Sequence, residues 1–258
     1  MNMTVDNSRN QDVVPKILTP IKKTYIAIVL DESGSMQNMK QYAIAGFNNQ
    51  IRNIQREADG NTFVSLVNFS TAVRPIFFNR TPDNFVELNN FNYNPTGWTA
   101  LYDAIGYTIK RLDYQAEYAD DTAFLIVIIS DGMENRSQEF NRTSIGDLIR
   151  SKQSTNRWTF TYIGANQDLS KVIYDLGIPP GNIMSWVYTP EGTSKMFVDN
   201  TISVSCYMNN RRSGLTSSKS FYSDSSKNPT ITPLNVTTFD SATKTIVDSA
   251  DNVTLTTT

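Results

Sequence analysis

Histidine is absent from this chain, and cysteine occurs once, at Cys206. Without histidine there can be no Ser-His-Asp triad, no Cys-His dyad and no histidine-ligated zinc. A single cysteine builds neither an intrachain disulfide nor a thiolate zinc cage; Cys206 reads as a small apolar filler in a helical run. Charge of one sign is lacking too. The 23 bases face 25 acids for a net charge of −2, which gives no electrostatic reason to expect nucleic acid. No stretch approaches the roughly 18 apolar residues that a membrane helix needs, and Met1–Lys16 has no apolar segment of a signal peptide. Neither a P-loop nor a Gly-x-Gly-x-x-Gly fingerprint after a strand is present. The expectation is a soluble cytoplasmic protein that engages neither nucleic acid nor membrane, with association to a virion left open.

What is present suffices for a core. Hydrophobic residues make up 39% and charged residues 19% of 258, enough for one full α/β domain with additions. Two apolar runs dominate, Tyr25–Leu30 and Ala123–Ile129. Continuous β-branched runs of this length suit parallel strands covered on both faces. After the first, Met36, Met39, Ala43, Phe47, Ile51 and Ile54 recur at helical steps and make a stripe for packing on a sheet. Thr62–Phe69 and Val73–Phe78 suggest a hairpin across Ser70–Thr71. Asn79–Gly97 reads as loop with a short helix near Phe85–Leu88, and Trp98–Leu112 as helix. Further on, helix Gln138–Lys152, strand Trp158–Ile163, helix Asp168–Leu176, strand Ile183–Val187 and helix Ser194–Met208 complete the alternation. The pattern predicts one α/β domain with a doubly wound, mostly parallel six-stranded sheet and helices on both faces, Rossmann-like in class. The expected divisions are a flexible lead-in over 1–22, the domain over 23–211, and a Ser/Thr-rich tail over 212–258. That tail is expected to be disordered or to order on a partner. Arg211, Arg212 and Lys219 read as a solvated helix end.

Both apolar runs end in oxygen chemistry. Asp31, Ser33 and Ser35 follow the first, and Ser130–Asp131–Gly132 the second. Parallel strands deliver such residues to the carboxyl edge of the sheet, where open α/β folds bind ligands. Thr99, at the start of a helix, adds a further hydroxyl. Asp31, Ser33, Ser35, Thr99 and Asp131 form an oxygen-only donor set suited to a hard cation, Mg²⁺ first and Mn²⁺ or Ca²⁺ as alternatives. The competing structural reading makes Ser33, Ser35 and Thr99 helix N-caps and Asp131 a turn former.

Asp31-x-Ser33-x-Ser35, Thr99 within Thr96–Ile105, and Ser130–Asp131–Gly132 together resemble a von Willebrand factor A (vWA) domain with its metal-ion-dependent adhesion site (MIDAS). The resemblance spans roughly Tyr25–Tyr207. It implies a doubly wound sheet, direct metal contacts from Ser33, Ser35 and Thr99, water-mediated ones from Asp31 and Asp131, and a last ligand from an Asp or Glu of a protein partner. Thr161–Asp168, with Leu176–Ile178 after it, is similar to intracellular prokaryotic and phage members. Many relatives carry two glycines before the threonine; here Gly97–Trp98 stands there. Trp98 could pack over the metal, join the partner surface or anchor on the core. The expected function is cation-dependent protein binding without catalysis. Two alternatives stay open: an assembly component docking through its tail, and a metal-assisted hydrolase with Glu32, Glu134 or Asp103 as base.

Overall fold

Strand β1 (Lys22–Asp31) is where the two faces of the domain are decided. Successive side chains on a strand point to opposite sides. Ile26, Ile28 and Leu30 therefore enter one core and Tyr25, Ala27 and Val29 the other. The computed structural model describes residues 22–116, 121–165 and 169–225, together with short strands at 238–240, 245–247 and 254–255. In chain order the next elements are helix α1 (Lys40–Glu57), strands β2 (Thr62–Phe69) and β3 (Val73–Arg80), helix α2 (Leu101–Gln115) and strand β4 (Asp121–Ser130). Then come helix α3 (Arg142–Gln153), strand β5 (Trp158–Ala165), helix α4 (Leu169–Leu176), strand β6 (Ile183–Trp186) and helices α5 (Pro190–Arg212) and α6 (Phe221–Ser225).

The six strands form one sheet in the order β3-β2-β1-β4-β5-β6, parallel except for the antiparallel β2/β3 pair. This is the doubly wound sheet the alternation predicts. The apolar run of β4 splits as β1 does, with Leu125, Val127 and Ile129 on one face and Phe124, Ile126 and Ile128 on the other. Each such fully buried side chain is worth about 1.5–3 kcal/mol, so the two central strands carry much of the fold's apolar stabilisation. Helices α1 and α5 cover the first face. They approach so closely that a methyl on Gly46 would stand 2.3 Å from the Phe197 ring. Helices α2 and α3 cover the second. Pro75 sits in β3, an edge strand, where a missing N–H is tolerated.

Several expectations shift in detail. The short helix near Phe85–Leu88 is instead a 3-10 turn at Pro82–Asn84, where Pro82 presets the first turn. The last helix starts four residues earlier than expected, at Pro190 after the Thr189 cap, whose side chain accepts the Gly192 N–H at 3.0 Å. Cys206 is buried in it, as a filler should be.

The solvated helix end is a correction. Arg211 is 3% exposed. Its guanidinium donates to Asp121 Oδ1 at 2.8 Å and to the Asp121 carbonyl oxygen at 3.1 Å, and reaches Thr24 Oγ1 at 3.2 Å. The helix thus delivers a cation onto the amino-terminal starts of β1 and β4, a tertiary contact invisible in local composition. Packing also continues past 211. Phe221 is buried, its N–H donates to Asn182 Oδ1 at 2.9 Å, and Asn182 Nδ2 donates to the Phe160 carbonyl oxygen at 3.0 Å. Ser218 and Phe221, beyond 211, thus pack against the sheet's own elements. The short strands Thr238–Asp240, Thr245–Val247 and Thr254–Leu255 pair with one another; the rest of 226–258, and the lead-in over 1–21, lie outside the described residues. No helix among the described residues is long and apolar enough to cross a membrane.

Removing the buried half of an ion pair strands its partner. Arg211→Ala should lower unfolding free energy by about 3–5 kcal/mol in urea denaturation, whereas Arg212→Ala, at an exposed position, should change it by less than about 0.5 kcal/mol. Equal effects would refute the clamp.

Candidate metal centre at the sheet's carboxyl edge

Register brings the acids together. Leu30 stands opposite Ile129 across the β1/β4 ladder, so the next residues, Asp31 and Ser130, are side by side. Ser130 Oγ donates to Asp31 Oδ2 at 2.5 Å, and the Ser33 N–H donates to Asp31 Oδ1 at 2.7 Å. One residue further, Asp131 accepts from Ser35 Oγ at 2.6 Å, and Ser35 Oγ lies 3.1 Å from Ser33 Oγ. Thr99 enters from the start of α2. A methyl built on Gly132 would be 3.2 Å from Thr99 Oγ1, 3.7 Å from Ser35 Oγ and 3.8 Å from Asp31 Oδ2. Oxygens from all three segments therefore converge on one glycine that leaves room between them. The five predicted residues are brought to one place.

Capping does not account for the hydroxyls. Ser33 precedes the 3-10 turn Gly34–Met39 and Ala100 precedes α2, and neither makes a side-chain cap hydrogen bond. The α2 amino terminus is held by the loop after β4 instead. The Tyr102 N–H donates to Glu134 Oε2 at 2.9 Å and the Asp103 N–H to Ser137 Oγ at 3.0 Å. In return Asp103 accepts N–H groups of Gln138, Glu139 and Phe140 at 2.8–3.0 Å. Thr99 and Asn135 are joined twice, Thr99 N–H to Asn135 Oδ1 at 2.9 Å and Asn135 N–H to the Thr99 carbonyl oxygen at 3.1 Å. These bonds set the distance between Thr99 and Asp131.

The 91–98 loop closes the near side. Gly34 N–H donates to the Gly97 carbonyl oxygen at 3.1 Å and Tyr93 OH to that of Asp31 at 2.7 Å. Gly97 has φ +77°, and a methyl there would lie 2.4 Å from Thr71 Oγ1, so a side chain is excluded twice over. Trp98 is 61% exposed, which rules out anchoring on the core. Its N–H donates to Thr71 Oγ1 at 3.0 Å, so the indole is presented outward by a held backbone.

Sequence reasoning assigned no role to Ser130, Tyr93, Asn135 or Tyr188. Ser130 was visible in the motif; Tyr188, 153 positions from Ser35, had no local signal. Its hydroxyl contacts the Ser35 carbonyl oxygen and lies against the Asp131 carboxylate. Burial first, and then the Asp131 charge, push the Tyr188 phenol up to about 12.

The electrostatics are unusual for so polar a cluster. Asp31 has no exposed surface and Asp131 is 8% exposed, and among the described residues no cationic side chain pairs with either. Burial pushes Asp31 up to about 6, against the hydrogen bonds from Ser130 and Ser33, with the Asp131 charge adding to the rise. Asp131 is likewise raised, chiefly by burial. Among the described residues no three of His, Cys, Asp or Glu gather as a ligand cage, so hydroxyls must complete any donor set. Two desolvated carboxylates and three converging hydroxyls fit a hard divalent cation and offer nothing to a thiophilic one.

The sequence profile of the von Willebrand factor type A domain matches residues 26–193. The chain belongs to the von Willebrand factor A family. No curated protein sequence matches it. Among solved structures, it resembles the pilus adhesin SpaC from Lactobacillus rhamnosus GG in its open conformation, with a TM-score of 0.56 and 12% identity. That alignment covers 73% of this chain and 30% of SpaC. The PilB minor pilin from Streptococcus sanguinis aligns with a TM-score of 0.50 and 16% identity, covering 72% of this chain and 62% of the pilin. Proximal thread matrix protein 1 from the mussel byssus, solved with a zinc-occupied MIDAS motif, aligns with a TM-score of 0.51 and 16% identity, over 72% and 46% of the two chains. The vWA chain thus spans between 30% and 62% of these relatives, and identities this low establish the shared fold alone. Of the stretch that resembled prokaryotic and phage vWA proteins, residues 166–168 lie outside the described residues.

A raised carboxylate withdraws stability as pH rises. Asp31 costs nothing where both folded and unfolded forms are protonated, below about pH 4, and costs most above about pH 6. In metal-free protein, Asp31→Asn should therefore raise unfolding free energy by roughly 1–3 kcal/mol at pH 7.5 and by almost nothing at pH 4. A loss of stability at pH 7.5 in chelator would show that the charge is already compensated within the chain.

Proposed function

We propose that this vWA domain takes up a divalent cation between Asp31, Ser33, Ser35, Thr99 and Asp131, and through it captures an Asp or Glu of a protein partner. The observation that carries this reading is the pair of buried acids without a cationic neighbour, facing hydroxyls that cap no helix. Mg²⁺ is the cation the oxygen set suits best, with Mn²⁺ or Ca²⁺ able to substitute. When bound, the cation supplies positive charge that mostly neutral hydroxyls leave unquenched, so an incoming carboxylate is favoured. Ser33, Ser35 and Thr99 would hold it, while Asp31 and Asp131 balance its charge.

The same chemistry argues against hydrolysis. A general base needs a free lone pair near the reacting water. Glu32 is engaged by the Arg74 guanidinium and by the Asn94 N–H. Glu134 accepts from Arg136 N–H and Ser137 N–H at 2.7 Å, from Ser137 Oγ at 2.7 Å and from the Tyr102 N–H. Asp103 is spent on three backbone N–H groups. All three candidate bases hold loops in place.

Calorimetric titration of Mg²⁺, then Mn²⁺, into chelator-stripped protein should show saturable binding at one site. Thr99→Ala should weaken it about tenfold or more and Asp131→Ala should abolish it, with the fold retained by circular dichroism. Partner capture should disappear in EDTA. Metal binding absent from the wild type, or capture indifferent to chelator, would overturn the proposal. Turnover of phosphate esters lost in Asp131→Ala would favour the hydrolase.

A further inference from the structure

The three hydroxyls of the metal centre are not held alike. Ser33 is 2% exposed and Thr99 4%, so packing fixes both. Ser35 is exposed, on the 3-10 turn Gly34–Met39 that leaves the end of β1. A side chain that no neighbour encloses keeps its place only through bonds to groups that are themselves fixed. The Ser35 hydroxyl donates to Asp131 Oδ1 at 2.6 Å, which links two members of the donor set to each other. Its carbonyl oxygen accepts from Tyr188 OH, which ties the turn to a distant part of the chain.

Tyr188 is itself anchored. It stands between β6 and α5, with its ring half-buried against the core beneath α1 and α5. The backbone around it is closed. Thr189 N–H donates to the Val187 carbonyl oxygen at 2.8 Å, and Thr189 Oγ1 accepts the Gly192 N–H at 3.0 Å. The phenol also lies within hydrogen-bonding reach of the Asp131 carboxylate. One hydroxyl proton thus serves two acceptors, the Ser35 carbonyl after β1 and the Asp131 carboxylate after β4. From another side the Gly34 N–H donates to the Gly97 carbonyl oxygen at 3.1 Å. The Ser33–Ser35 turn is therefore clasped between the 91–98 loop and Tyr188.

We propose that Tyr188 is a positioning residue of the metal centre, pinning Ser35 so that the site selects Mg²⁺ over Ca²⁺. The selection rests on the function proposed above; the pin does not. Its physical ground is the difference between the two ions. Near-octahedral oxygens at about 2.0–2.1 Å are required by Mg²⁺, whereas Ca²⁺ accepts about 6–8 oxygens at about 2.3–2.6 Å in adaptable geometry. A donor free to drift by a few tenths of an ångström thus costs Mg²⁺ more than Ca²⁺. Two donors, Ser35 and Asp131, meet at this one phenol, so loss of its hydroxyl loosens both.

Tyr188→Phe keeps the ring and removes only the hydroxyl. Tyr174→Phe, which removes a phenol 80% exposed on α4, is the control. Mg²⁺ and, separately, Ca²⁺ would be titrated calorimetrically into the full chain stripped of metal. Tyr188→Phe should weaken Mg²⁺ about tenfold, the order of one lost hydrogen bond, and Ca²⁺ by less than about threefold. The preference for Mg²⁺ over Ca²⁺ should therefore fall at least about threefold, with thermal melting still cooperative. Tyr174→Phe should leave both affinities unchanged. A merely structural role would move the two affinities together and leave their ratio in place. In EDTA, amide exchange at Gly34 and Met36, whose N–H groups bond to the Gly97 and Ser33 carbonyl oxygens, should quicken at least about threefold in Tyr188→Phe. Exchange at Val127 in β4 should not change. An unchanged ratio in a variant that still binds Mg²⁺ overturns this inference and leaves the cation reading standing. Unchanged exchange overturns the pin. If the wild type binds neither cation, the cation reading fails and the selection falls with it, while faster exchange would still establish the pin.

Discussion

The β1/β4 register is the constraint on which the carboxyl edge depends. Because the two strands are parallel and in step, Asp31 meets Ser130 and the next residue, Asp131, reaches over to Ser35. A slip of one residue would turn every side chain of a strand to its other face. Both faces of β1 and β4 are fully buried, so a slip would misplace most of the core as well as the acids. The energy that places the site is thus the apolar energy of the sheet. The site itself, with two desolvated carboxylates, is an electrostatic cost that the sheet carries.

Around that edge the chain spends its charged groups on position. Glu32 pairs with Arg74 and orders the 92–94 backbone. Glu134 and Asp103 exchange hydrogen bonds between the start of α2 and the loop after β4. Against this background Asp31 and Asp131 stand out, since each is buried and, among the described residues, has no cationic partner. Both sit beside hydroxyls, in keeping with a cation. Both lie at the carboxyl edge of the sheet. Trp98, Met133 and Val187, exposed beside Thr99, Gly132 and Tyr188 respectively, give it an apolar border.

The remaining stability comes from clamps at the opposite end. Arg211 ties the last helix to the starts of both central strands, and Asn182 with Phe221 fastens the segment beyond it. A single residue type, arginine, is exposed at 212, where it bonds Asn209 and the Glu57 carbonyl oxygen, and is a buried clamp at 211, because a one-residue step turns a helical side chain by about 100°.

The sequence by itself determined the sheet, the stripes of α1 and α2 and the five oxygen-bearing residues. Hydrophobic period and strand-end chemistry are local properties that survive any arrangement of neighbours. Tyr25–Leu30 and Ala123–Ile129 read as doubly covered parallel strands, which deliver their acids to the same edge. Tertiary structure decided what needs distance: that Glu32, Glu134 and Asp103 are committed to loops, that Trp98 faces outward, and that Arg211 is buried. Most of those outcomes turn on a partner tens of residues away, as Glu134 does through the Tyr102 N–H. Hydrogen-bond saturation and burial belong to groups brought together by folding, and a window of local sequence rarely contains them all.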